Sequence, residues 1–113
     1  MPFRRRLYED DKMSIYIITM LEYPKSYEHY NSEGATRPVG FFSKLEDAQN
    51  AVEENKPDYH ECLYDFVVIE RFEEGAWVGS KEEFWHQWNN ETQSFEPCSR
   101  PECFKGISCF GMG

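Results

Sequence analysis

Apolar residues follow two different periods along the 113-residue chain. Residues 14–22 (SIYIITMLE) are mostly β-branched or aromatic. Tyr16, Ile18 and Met20 alternate there with Ile15, Ile17 and Leu21, so the segment reads as a strand buried on both faces at least in part. Residues 64–72 (YDFVVIERF) predict a second long strand. Tyr64, Phe66, Val68 and Phe72 share one of its faces, and Asp65, Val67, Ile69 and Arg71 the other. Between them, residues 23–38 carry Pro, Lys, Ser, Asn and Gly throughout and read as a long loop bearing Tyr23, Tyr27 and Tyr30. Residues 39–42 read as a short strand.

The period then changes. Leu45, Ala48 and Val52 recur at helical spacing, with Ala51 widening the stripe. Ser43 and Glu46 have the spacing of a capping box, which places the helix start at Ser43. Glu46 and Asp47 suit the positive end of the helix dipole. Pro57 stops the helix near Asn55. Residues 84–88 fit either a strand, with Phe84, His86 and Trp88 on one face, or a helix. The turn chemistry of residues 89–92 and the segment 94–96 beyond it favour a hairpin. Residues 76–78 read as a short strand, and Pro101-Glu102 as the start of one helical turn. The Gly-rich end carries Ile107, Phe110 and Met112, which suit docking on the core.

This order predicts an α+β fold. It is a small, mainly antiparallel twisted sheet with one main helix on one face, in β-β-α-β-hairpin order, and a short C-terminal helical turn. Residues 1–12 are expected to form a poorly ordered leader, its Arg4-Arg5-Arg6 triplet solvated, and residues 13–113 a single domain. One helix does not cover a wide sheet. The second face is therefore expected to be small and aromatic or to be covered by another subunit, which makes a homodimer or higher oligomer the expected state.

Composition changes the picture in two ways. Aromatic residues make up 17% of the chain and supply much of its apolar surface, since each ring buries roughly 150–250 Å². The net charge is −9, and the whole imbalance falls within residues 46–83. A field of that kind favours basic partners and repels polyanions, so direct nucleic-acid binding by bulk charge is excluded. No apolar run approaches the ~20 residues of a membrane span. No secretory apolar region follows the Arg triplet, so the four cysteines are expected to be reduced thiols in the cytoplasm.

Candidate chemistry is sparse. Cys98, Cys103 and Cys109 are weak zinc candidates, with Cys62, His60 or His86 as a fourth ligand, because only one of their spacings suits zinc. The acidic doublets arise from composition and diverge in direction. His60 and Cys62 can share a strand face, but no oxyanion donor accompanies them. No nucleotide-binding or nucleophile-elbow motif is present, so no enzyme and no cofactor are expected. Two binding classes remain. Glu46, Asp47, Glu53 and Glu54 with Trp77, Trp85 and Trp88 are the candidate protein interface, since Trp dominates interface hot spots. Tyr23, Tyr27, Tyr30, Arg37 and Arg71 are the candidate site for a small nucleotide-like anion.

Residues 39–72 (VGFFSKLEDAQNAVEEN … YDFVVIERF), with Phe84-Trp85-x-x-Trp88 and Phe95-Glu96-Pro97 further on, resemble a type of short uncharacterised protein of bacteria and their phages. In that type a G-x-[FY]-S strand leads into a capped acidic helix and a hydrophobic strand. The resemblance covers about two thirds of the chain. It implies the α+β fold and a bacterial or phage setting, and it implies no activity and no functional residues. The expected function is an acidic, non-enzymatic binding protein that inhibits a basic host defence or nucleic-acid-binding protein. The alternative is a sequestering protein for a nucleotide-like anion.

Overall fold

A computed structural model describes residues 13–22, 25–27, 30–32, 36–55, 58–61, 64–75, 79–104 and 109–111. Among them the chain forms β1 (Ser14–Leu21), β2 (Lys25–Tyr27), β3 (Tyr30–Ser32), β4 (Thr36–Phe42), α1 (Leu45–Glu54), β5 (Phe66–Glu73), β6 (Glu82–Asn89), β7 (Ser94–Cys98) and a 3-10 turn (Glu102–Phe104). Five strands make one sheet in the order β4-β1-β5-β6-β7. Each neighbouring pair in it is antiparallel. The expected α+β class, with one helix on a mainly antiparallel sheet, is what the chain adopts.

The expected long loop is a correction. Residues 25–32 contain a two-stranded hairpin in which Tyr27 lies opposite Tyr30, and β4 begins at Thr36 rather than Val39. Strands of three residues are too short to show a period of two. In β4, Pro38 and Gly40 mimic loop composition. Pro38 is tolerated because β4 is an edge strand, and the register shift between Ile18 and Thr19 leaves Val39 as the extra residue of a bulge.

The helix also starts later than expected. Lys44 is the N-cap, extended at φ −126° and ψ 135°, and no side chain caps the helix. Ser43 sits one residue too far upstream for its hydroxyl to meet the first free N–H groups. Lys44→Asp should place a capping carboxylate there and stabilise the fold by about 1 kcal/mol, read as a higher urea midpoint at unchanged slope. The helix ends as expected. Asn55 adopts the left-handed conformation (φ 49°) and its N–H bonds the Val52 carbonyl, the arrangement that closes many helices.

The helix covers one face of the sheet. Ala48 and Val52 pack with Ile18, Met20, Val67, Ile69, Tyr59, Tyr64 and Phe95, all buried. β1 supplies its even-numbered residues to this layer and β5 its odd-numbered ones, as alternation requires. The other face holds Leu21, Phe66, Val68 and Trp85, closed by Phe104 of the 3-10 turn and by Phe110. This second face is thus covered by aromatic residues from within the chain. Phe41, at 67% exposed, and Met13, at 62%, are the largest apolar side chains left open at the β4 corner. No helix among the described residues is long and apolar enough to cross a membrane.

Candidate partner-binding face

α1 turns its apolar stripe to the sheet, so its remaining positions face outward. Glu46, Asp47, Glu53 and Glu54 are all exposed, and the helix contains no basic residue. Glu46 and Asp47 sit where the helix dipole favours acids. Glu53 and Glu54 occupy the last turn, where it disfavours them by about 0.3–1 kcal/mol each.

Glu53 has a buried neighbour. His86 on β6 points at the helix, and its Nε2 lies 3.6 Å from a carboxylate oxygen of Glu53, too long for a hydrogen bond. The His86 side chain is almost fully buried, and neither ring nitrogen has a hydrogen-bond partner. Burial pushes the imidazole below its usual value while Glu53 pulls the other way. The ring is therefore held neutral beneath an exposed carboxylate.

The acidic surface continues past the helix. Asp58, Tyr59 and Glu61 line a cleft of about 450 Å³ whose other side is Met20, Arg37, Pro38 and Val39. The loop that forms this wall is tied by its own side chains. Asn55 Nδ2 donates to Asp58 Oδ1, and the backbone N–H groups of His60 and Glu61 donate to Asn55 Oδ1 and Asp58 Oδ1. Asp58 and Glu61 both hold left-handed backbone, at φ 56° and 47°, which costs a non-glycine residue of order 1 kcal/mol or more. Burial raises the Tyr59 phenol, leaving it neutral at physiological pH.

Of the anion site expected from the sequence, the described side chains are those of Arg37 and Arg71. Arg37 shares its cleft with Asp58 and Glu61, which oppose an anion. Arg71 is bound by Glu82 at 2.6 Å and Glu73 at 3.3 Å. The two arginines flank β1 opposite Met20 and Tyr16, roughly 13 Å apart along the strand at ~3.3 Å per residue. Tyr23 and the side chains of Tyr27 and Tyr30 lie outside the described residues.

The tryptophans divide. Trp85, expected at the interface, belongs to the core of the second face: it is 5% exposed and stacks on Phe104 at 5.4 Å. Both faces of β6 are covered, so a segment that looks polar in sequence hides its odd-numbered ring. Trp88 is half-buried on the helix side, stacked on His60 at 3.9 Å, with its indole N–H given to Asn90. Trp77, Cys62, Ile107, Met112 and the leader 1–12 lie outside the described residues.

Cys98, Cys103 and Cys109 are free thiols. Burial raises Cys98 and Cys103, the direction that makes a thiol inert. Among the described residues no three His, Cys, Asp or Glu side chains are arranged to hold a metal ion.

Two residues of consequence escaped the sequence. His86 reads there as one member of an aromatic face. Glu70 is fully buried on the apolar face of β5, where it accepts hydrogen bonds from the backbone N–H groups of Phe110 and Gly111. A signal existed in its case, since an acid on the Phe66, Val68 and Phe72 face demands a donor. Its donors are 40 and 41 residues away. The chain matches no protein-family model, no curated protein and no solved structure.

Proposed function

We propose that the chain is a non-enzymatic binding protein whose acidic helix engages a basic surface on another protein. The observation that carries this is α1: four exposed carboxylates with no base in the helix, two of them set against the helix dipole. The neighbouring cleft adds Asp58 and Glu61 to this surface, facing Arg37 across it. The resemblance to bacterial and phage proteins makes a host defence or nucleic-acid-binding protein the partner class, acting in the cytoplasm. Covering its basic surface would block it sterically and electrostatically. A nucleotide-like anion is disfavoured by the engagement of Arg71 and the carboxylates beside Arg37.

The test is capture from bacterial lysate by the parent chain and by the variant Glu46→Gln, Asp47→Asn, Glu53→Gln, Glu54→Gln. Four charge contacts of about 0.5–1 kcal/mol each predict a loss of affinity on the order of 100-fold. Raising salt should weaken the parent's binding sharply. Affinity for the captured protein that is indifferent both to salt and to the four substitutions overturns the proposal.

A further inference from the structure

The segment 109–111 is held on the second face of the sheet by three different contacts. Glu70, fully buried in the central strand β5, accepts the N–H of Phe110 at 3.1 Å on one carboxylate oxygen and that of Gly111 at 2.9 Å on the other. The Phe110 ring meets the rings of Trp85 and Phe104 edge-on, at 5.6 and 6.0 Å. Gly111 lies so close to β1 that an added Cβ would come within 2.7 Å of Ile17 Cγ2. The carboxylate thus reads two successive backbone amides, the rings read an aromatic side chain, and Ile17 admits only glycine after it.

The backbone that meets these contacts is not relaxed. Cys109 holds φ 59°, a left-handed conformation that a non-glycine residue adopts against its own preference. The receiving surface therefore imposes the shape of the segment. Glu70 carries no basic partner in this contact. Its burial raises the carboxyl, and the amides of Gly111 and Phe110 pull it back. The carboxylate depends on the amides for its solvation as much as they depend on it.

We propose that this groove across β1, β5 and β6 is a docking site for an aromatic–glycine peptide segment, filled here by the chain's own residues 109–111 and able to take the same segment in trans. The ligand class follows from the contacts: a peptide turn that aims two consecutive N–H groups at one carboxylate, with an aromatic side chain on the first residue and none on the second.

The probe is a labelled peptide of residues 109–113, Cys-Phe-Gly-Met-Gly, with a control peptide carrying alanine at the central glycine. Gly111→Ala in the full chain disables its own strap without touching a sheet residue. Amide exchange of residue 110 should accelerate at least about tenfold in that variant, while the β5 amides keep their protection. The glycine peptide should bind the variant at least about tenfold tighter than the parent, whose strap competes, and the alanine peptide should bind neither. Glu70→Gln, which keeps the side chain's size, should weaken the peptide's binding in the Gly111→Ala background. The proposal is overturned if exchange at residue 110 is the same in parent and variant. Peptide binding that is absent from both chains, or equal in both, overturns it as well.

Discussion

Trp85→Ala should cost about 3–5 kcal/mol of stability, the range for removing a buried aromatic ring. Trp85 touches both parts of the second-face cover. Its ring stacks on Phe104 and meets Phe110 edge-on, Arg100 lies over it at 5.7 Å, and its indole N–H is given to Glu83. Small domains hold about 5–15 kcal/mol in all, so this single change removes a large share. At roughly 4–8 °C per kcal/mol, the melting temperature should fall by more than about 12 °C. A tryptophan anchoring a partner from the surface would behave in the opposite way, with binding lost and the melting temperature held. A fall of less than about 2 °C would place Trp85 at an interface and not in the core.

The second large effect concerns pH. Two buried groups shift in ways that oppose one another in the stability curve. His86 is lowered by burial from its ordinary 6.5. The unfolded chain therefore takes up the proton first, so stability is full above pH 6.5 and declines as pH falls below it. Glu70 is raised from its ordinary 4.5 by burial. Its contribution is full below pH 4.5 and is lost as pH rises through the folded value. In the parent chain the two slopes partly cancel between these limits.

His86→Leu should separate them. The substitution removes two buried nitrogens without hydrogen-bond partners, each of a kind that costs about 1–3 kcal/mol. It fills nearly the same space beneath α1. The variant should be at least about 1 kcal/mol more stable below pH 6.5, where the buried imidazole costs the parent stability, and its stability should decline with rising pH as Glu70 dictates. Glu70→Gln should show the reverse slope. Urea midpoints from pH 4.5 to 7.5 measure all three. A His86→Leu chain that is less stable than the parent at every pH would mean that the imidazole makes a bond essential to the fold.

Much of this molecule was legible because its long elements keep one period. β1 and β5 alternate without a break, and Ala48 and Val52 place the helix stripe correctly. The failures have physical causes. At the helix start, one extended residue, Lys44, moved the N-cap away from Ser43. The segment 23–38 reads as a loop because three-residue strands and a proline-bearing edge lack the usual pattern. For the candidate site, the four helix carboxylates were legible as an outward face, since they fall off the apolar stripe. The cleft beside them was not, because it joins β4 to the loop at Asp58–Glu61 across the fold. Trp85 and Trp88 stand three residues apart in one strand and so face opposite layers, a distinction that only the strand assignment makes available.

The position of β1 in the sheet has a kinetic side. It lies between β4 and β5, and its contact with β5 joins residues roughly fifty apart in sequence, the kind of pairing that slows folding through loop closure. The β6–β7 hairpin, by contrast, closes over a short turn and carries little loop-closure cost. During synthesis β1 leaves the ribosome well before β5 exists. Until then its apolar run has β4 on one edge and nothing on the other, and this open edge is where the chain is most exposed to misassembly.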